Sequence, residues 1–466
     1  MKKILLVEPD FPYPCKSKKG ANYIHKNFVP IGLLKLGSLY RDLGCDVQLV
    51  RGEKRREEIG KQPDEILVTS VFTYWSKYVW DNIRYYREMF PASIIRLGGI
   101  YATLHNKQKK FKKLARALKV RTHKGLHRKA EEYLPDYTLL PKVDYHATHM
   151  MRGCIRRCSF CGTWILEPER TNKSKTEIEK ELIAIGKNRV IFYDNNILAN
   201  PHIKEILQLF ENLKVNKKPV LYESQSGFDG RLLEKDPELA VLIKKARFQN
   251  VRIAWDNGLA DQDAIKRQID LLVMAGYKQN DISIFMIYNF NISYEQMIRK
   301  IELCAKWGVQ ITDCRYRPLE LDFDNYNSSM RYGQPTGSYY IHDKSGWNDK
   351  KIRDFRSQVR KHNIWVRYAK DKGRPYDKNM ERWSDIHTTF KFFKMGRPPQ
   401  LEIIENSPKW KQCIQSMNKI KRYFNVNNKL SQFDFKGFNL EKVDREIKVI
   451  IENLYGNTDN VAKKGM

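Results

Sequence analysis

Met151-Arg152-Gly153-Cys154-Ile155-Arg156-Arg157-Cys158-Ser159-Phe160-Cys161-Gly162 sets three of the chain's eight cysteines within eight residues. The other five (Cys15, Cys45, Cys304, Cys314, Cys413) are scattered over 466 residues, too sparsely for a disulfide scaffold. Spacers of three and two residues let successive sulfurs converge inside one tight loop, which suits metal or redox chemistry. An iron–sulfur cluster normally takes four cysteines, so three leave one iron free for a substrate or cofactor. Structural zinc wants four ligands in a closed tetrahedron. No second C-x-x-C completes one here, and His146 and His149 precede the loop on an expected strand. A zinc site stays open as the alternative.

Downstream of the loop the pattern is regular. Ser174-x-x-Glu177 is a capping box, with Ile178, Leu182 and Ile185 on one helix face and Gly186 as the stop. Apolar strands are expected at 190–193, 220–222, 251–255, 282–287 and 309–316. Helical patterns separate them, with Asn200-Pro201, Asp236-Pro237 and Ser293-x-x-Gln296 as starts and Gly276 and Gly308 as stops. With one strand just before Cys154 this makes six βα units, and such a series curls into a barrel with its chemistry at the carboxyl ends of the strands. The cysteines follow the first strand.

Upstream, short strands at Ile4-Leu5-Leu6-Val7, 47–50, 66–69 and 94–97 alternate with helices opening at Pro30 and spanning 78–90. That alternation predicts a parallel sheet wound on both faces, with Gly98-Gly99 at a strand end where such sheets take ligands. Residues 107–129 carry eleven Lys and Arg and no acid, a solvated helix face beside a linker on the plainest reading.

C-x-x-x-C-x-x-C with an aromatic residue before the last cysteine resembles the signature of the radical S-adenosylmethionine (radical SAM) superfamily. The resemblance implies a partial TIM-like (β/α)6 barrel in which Cys154, Cys158 and Cys161 ligate a [4Fe–4S] cluster. The unique iron there binds the amino and carboxylate groups of S-adenosylmethionine, and the reduced cluster cleaves it to methionine and a 5′-deoxyadenosyl radical. It further implies Phe160 near the adenine, and Asp194, Asn195 and Asn196 at the methionine amino group. Glu223, Ser224 and Gln225 are expected at the ribose or carboxylate. Asp256 and Asn257 end the fourth strand and Tyr288 and Asn289 the fifth, while Arg315 and Arg317 on the sixth could pair a carboxylate in fork geometry. A one-electron donor such as flavodoxin or ferredoxin is implied as a partner. No residue is singled out as a catalytic acid or base.

The stretches Pro30-Ile31-Gly32-Leu33-Leu34-Lys35-Leu36-Gly37 and Leu97-Gly98-Gly99-Ile100-Tyr101-Ala102-Thr103 resemble the cobalamin-binding type within that superfamily. The expected fold class is therefore α/β. A Rossmann-like, cobalamin-binding-type domain (1–135) precedes the radical SAM barrel (136–320), and a basic, aromatic-rich, mostly helical region (321–466) follows. No D-x-H-x-x-G supplies a histidine to cobalt, and Asp144-Tyr145-His146 has only its first half. Cobalamin is left open beside a domain that merely shapes the substrate cavity.

Lys and Arg number 85 against 54 Asp and Glu, a net charge of +31, and basic and aromatic residues interleave at Trp365, Arg367 and Tyr368, at 390–394, at Trp410-Lys411 and at 422–424. This field favours an anionic substrate, nucleic acid first. No run of about 20 apolar residues is present to span a membrane, and a cytoplasmic protein is expected. Two functions follow: a radical SAM enzyme modifying an unreactive carbon, by methylation if cobalamin binds, or a non-enzymatic zinc-containing nucleic-acid-binding protein.

Overall fold

The structure, a computed structural model, describes residues 1–12, 28–324 and 346–370, with Arg422. They divide into two compact units, Met1–Met297 with Thr312–Ile352, and Ile298–Ile311 with the chain from Arg353 onward.

In the first unit β1 (Lys3–Glu8), β2 (Asp46–Arg51), β3 (Glu65–Ser70), β4 (Ile94–Gly99) and β5 (Val120–Thr122) form a parallel sheet of order β2-β1-β3-β4-β5. Helices α1 (Ile31–Asp42), α2 (Ser76–Met89), α3 (Ile100–His105) and α4 (Lys109–Ala117) connect these strands. The two-residue period of β1 sends Leu5 and Val7 against Val79, Ile83 and Tyr86 of α2, and Ile4 and Leu6 against Leu33 of α1. Both faces are thus covered, and all six residues of β1 are buried. The sheet order reverses between β1 and β3, and crevices for ligands open beyond the carboxyl ends of strands at such a point. Gly99 ends β4 there with φ of 97°, and a side chain on it would begin 2.1 Å from the Ser70 carbonyl oxygen, so only glycine fits.

The charge run at 107–129 is a solvated helix face, as expected, followed by a strand that the sequence did not announce. It holds a regular helix and the edge strand β5, because Phe111 and Ala115, one turn apart, enter the core beneath the lysines.

Six further strands follow in chain order. They are β6 (His146–Thr148), β9 (Arg189–Phe192), β10 (Leu221–Ser224), β11 (Arg252–Ala254), β12 (Ser283–Tyr288) and β13 (Gln310–Arg315), the last entering the first unit at Thr312. After β6 the chain makes an excursion through β7 (Met151–Arg152), α5 (Thr163–Leu166) and β8 (Thr171–Asn172). Helices α6 (Lys175–Ile185), α7 (Ile203–Asn212), α8 (Gly230–Lys235), α9 (Glu238–Lys245), α10 (Gln262–Met274) and α11 (Tyr294–Trp307) connect the remaining strands. Strands β6, β9 and β10 are parallel neighbours, β11, β12 and β13 form a second trio, and the bridge between Phe228 and Ile253 joins the two. The box at the start of α6 is made: Ser174 Oγ accepts the Glu177 N–H and the Glu177 carboxylate accepts that of Ser174. In the second unit, Asn363 near the end of helix α12 (Asp349–Ile364) accepts the Ile311 N–H at 2.8 Å and donates to its carbonyl at 2.7 Å. The interleaved stretches at 390–394, Trp410-Lys411 and 423–424, an expected helix at 441–454, Cys15 and Cys413 lie outside the described residues.

The strand that launches the excursion is tied by a buried polar cluster. His146 donates from Nε2 to Glu181 at 2.9 Å and accepts the Tyr137 hydroxyl on Nδ1 at 2.9 Å, while Thr148 and Lys173 complete the Glu181 carboxylate. Both imidazole nitrogens are thereby engaged, which removes His146 from any metal set. Burial pushes the Glu181 carboxyl up, but the His146 hydrogen bond and the Lys173 charge outweigh it and hold the group at about 2. A carboxyl lowered in the fold adds stability that is complete above its unfolded value near 4.5 and is lost as pH falls towards 2. Glu181→Gln should cost up to about 3 kcal/mol at neutral pH. Urea midpoints of the two proteins should converge as pH drops through that window, and a constant gap would contradict the assignment.

Candidate functional site

The excursion closes on itself: β7 and β8 pair antiparallel, and residues 153–170 form the loop between them. Four polar side chains from the segment after β9 grip it. Asp194 accepts the backbone N–H groups of Met150, at 3.0 Å, and Met151. Asn200 donates to the carbonyls of Met150 (2.9 Å) and Lys173 (3.0 Å), one on each side of the stem. Asn195 accepts the Thr163 hydroxyl at 3.0 Å, and Asn196 donates to Asp229 at 3.1 Å. Asp229 in turn accepts Arg156 Nε at 2.9 Å, anchoring the turn between the first two cysteines to the chain after β10.

The base of the loop is fixed from the other side by an ionic chain. Arg152 meets Glu167 at 2.8 Å and Glu131 at 2.9 Å, and Glu131 meets Lys35 of α1 at 3.0 Å. Glu167 also accepts the Gly153 N–H at 2.7 Å. Gly153 has φ of 75°, and a side chain on it would begin 2.9 Å from the Glu169 carbonyl oxygen. The loop therefore turns sharply just before Cys154.

All three cysteines are free and half-buried. The Arg156 N–H donates to Cys154 Sγ at 3.3 Å, and the Cys161 thiol donates to Thr163 Oγ1 at 3.2 Å. Burial, then Cys161, Asp256 and Cys154, push the Cys158 thiol up, with Arg231 pulling against them. The three sulfurs thus lie in one another's electrostatic field. Among the described residues no three or more His, Cys, Asp or Glu side chains close on a point that would hold one ion.

The other expected residues divide into two sets. Phe160 meets Phe290 edge-on at 5.6 Å, and Phe290 meets Tyr316 at 4.5 Å, so an aromatic row links the cysteine loop to the ends of β12 and β13. Asn195 is exposed beside Thr163, and Asp256 faces Cys158. Two acceptors at the carboxyl ends of neighbouring strands, Asn196 Oδ1 and Gln225 Oε1, are buried without a donor among the described residues. Such acceptors suit a cationic donor such as an ammonium group.

The remaining expected residues have partners within the chain or are buried. Asp194 is fully buried, with its carboxylate on the loop backbone; burial drives it up to about 7 against the Met150 and Met151 N–H groups. Glu223 is buried on Arg252 (2.6 Å) and Asn250 (2.9 Å), and Ser224 donates to the Gly227 carbonyl at 2.8 Å. Tyr288 and Asn289 are buried, Tyr288 against Trp347. Arg315 and Arg317 do share a carboxylate, but it is Asp324 of the same chain. Arg152, Glu167 and Asp229 carry the loop and were missed. Asp229 reads only as a helix cap before Gly230, and an arginine beside a metal loop announces no partner.

The carboxyl edge of the first sheet reaches the same loop. Leu104 of α3 and Leu319 lie 3.4 Å from where a Gly162 side chain would begin. The segment after β3 bridges Trp75 to Phe323, and Arg317 stands 4.1 Å over the Tyr74 ring. Phe72, stacked on Tyr74 at 5.0 Å, is partly exposed there.

Residues 148–313 match the family model described as Radical SAM superfamily. No curated protein matches the chain. Among solved structures it is similar to the cobalamin-dependent S-adenosylmethionine radical enzyme OxsB, solved with aqua-cobalamin and S-adenosylmethionine bound. That likeness covers 99% of this chain and 78% of the other, at 13% identity and a TM-score of 0.49. Methylornithine synthase (PylB) is similar over 47% of this chain and 62% of its own, at 14% identity and a TM-score of 0.29. Neither overlap is close enough to carry an argument.

Truncating Glu167 tests the architecture of the loop. Glu167→Ala strips a carboxylate from buried Arg152 and a partner from the Gly153 N–H, and should cost about 2–4 kcal/mol. A urea midpoint equal to that of the unaltered protein would show that the loop is held by other means.

Proposed function

The chain carries a radical SAM domain, and from that premise we propose that it cleaves S-adenosylmethionine reductively and uses the radical to modify an unreactive carbon of an anionic substrate. The carrying observation is the clamped loop with its three half-buried thiols, which follows the first strand of the βα series. Cys154, Cys158 and Cys161 would hold a [4Fe–4S] cluster, which, once reduced by a donor such as flavodoxin or ferredoxin, would supply the electron for reductive cleavage of S-adenosylmethionine to methionine and a 5′-deoxyadenosyl radical.

The chain's own residues hold and orient. The Arg156 N–H donates to Cys154 Sγ, and hydrogen bonds to the sulfurs are one of the means by which a protein tunes a bound cluster. Arg156 and Arg231, gathered by Asp229, set positive charge beside a site that three thiolates make negative. Asn196 and Gln225 offer their free acceptors to the ammonium group of the cosubstrate. Phe160 with Phe290 forms an aromatic wall for the adenine. The polar grip of Asp194 and Asn200 keeps the thiols fixed, which matters because the protein's part is orientation while the cofactor carries the hard chemistry.

We assign the boundaries near 135 and 320 to a change of role, the first sheet flanking the barrel and the basic region following it. The carboxyl edge of that sheet is the place for cobalamin. The order of its strands supports this, as does the approach of α3 to Gly162. The Ser70 and Thr103 hydroxyls are engaged within the protein, donating to the Gly98 and Gly99 carbonyls, so the contacts left for a corrin are the exposed faces of Phe72 and Ile100. Methylation is the reaction this arrangement favours. The charge of +31 points to a nucleic acid as substrate.

Cys158→Ala should bleach the anaerobically reconstituted protein and abolish release of 5′-deoxyadenosine. Continued release by that variant would contradict the assignment of the ligands.

A further inference from the structure

Between 107 and 129 all eleven Lys and Arg side chains are exposed. Only Lys110, 2.5 Å from Asp322, and Arg128, 3.5 Å from Glu169, meet an acid among the described residues. Solvated helix faces usually interleave acids four residues from lysines, which relieves repulsion. Here α4 presents Lys109, Lys110, Lys112, Lys113 and Arg116 without one acid, and Arg121 continues the charge on β5, the edge of its sheet. Such self-repulsion favours a polyanion laid across the surface.

The two pairs that do form say where the strip leads. Asp322 accepts from His105 of α3 at the end of the segment that follows β13, and Glu169 lies in the cysteine excursion beside Gly153. The strip therefore borders the candidate site at two points. Its composition argues against a lipid surface. An interfacial helix turns its apolar face outward, whereas Phe111 and Ala115 of α4 are buried. The His123 and His127 rings, 5.4 Å apart, add flat surfaces of the kind that stack on bases.

We propose that residues 107–129 are the docking surface for a single-stranded nucleic acid whose reacting nucleotide is delivered to the cysteine loop. A single strand fits because chemistry on a nucleotide requires it out of the duplex stack. The destination rests on the radical SAM reading; the docking surface does not.

The test is fluorescence anisotropy of the full chain with a short single-stranded RNA across a salt series. It compares a strip variant (Lys109→Gln, Lys112→Gln, Lys113→Gln, Arg116→Gln) with a control of equal charge change (Lys175→Gln, Lys180→Gln, Lys214→Gln, Lys218→Gln). With about 0.7 counterions released per phosphate contact, the strip variant should lose close to 3 from the slope of log K against log salt. The control should keep the unaltered slope. An unchanged slope in the strip variant, or an equal loss in the control, overturns the proposal. So does binding to phosphatidylserine vesicles, abolished by the strip variant, in a protein that ignores the RNA. Release of 5′-deoxyadenosine without RNA, measured on the same preparations, should be alike in all three proteins. RNA binding of the predicted kind in a protein that releases none upholds the surface and overturns the reaction, whereas release without RNA binding does the reverse.

Discussion

A loop of some twenty residues carrying three thiols has no core of its own, and everything proposed for this protein depends on the polar side chains that hold that loop still. Asp194 and Asn200 take its stem by the backbone, Asn195 takes Thr163, and Asn196 acts through Asp229 on Arg156. All four come from one segment after β9, so one strand end sets the position of the whole excursion. Burying such groups is costly unless their hydrogen bonds are made, which is why the arrangement is specific. Asp194 shows the balance: burial opposes its charge, and two N–H groups from the loop offset part of that.

The opposite side of the loop is governed by charge. The chain Lys35, Glu131, Arg152, Glu167 runs from the first helix of the first sheet to the turn before Cys154. Half-buried ion pairs of this kind add little net stability, yet losing one member leaves a charge stranded. Their effect is to tie the position of α1 to that of the cysteines. Together with α3 against Gly162 and Trp75 against Phe323, they bring the carboxyl edge of the first sheet to the cysteine loop.

Much of this was legible from residue patterns. The βα alternation, the Ser174 and Glu177 box and the turn at Gly186 follow from local chemistry, and the structure makes each of them. The edge strand at Val120–Thr122 was hidden because it is three residues long and carries no buried residue. Direction was the larger difficulty. Glu223, Ser224, Arg315 and Asp194 have the identity expected of ligand contacts, but a sequence does not say whether a strand-end side chain turns to the cavity or to the interior. Partners distant in sequence, such as Arg156 and Asp229, 73 residues apart, leave no local trace.

The central claim is that three thiols leave one iron of a cluster open to S-adenosylmethionine. The most direct measurement is the electron paramagnetic resonance spectrum of the reduced, iron-reconstituted protein before and after adding S-adenosylmethionine. A signal of a [4Fe–4S] cluster whose g-values move when the cosubstrate is added is the predicted result. A spectrum indifferent to S-adenosylmethionine, or a protein that takes up one zinc ion per chain in place of iron, would contradict it.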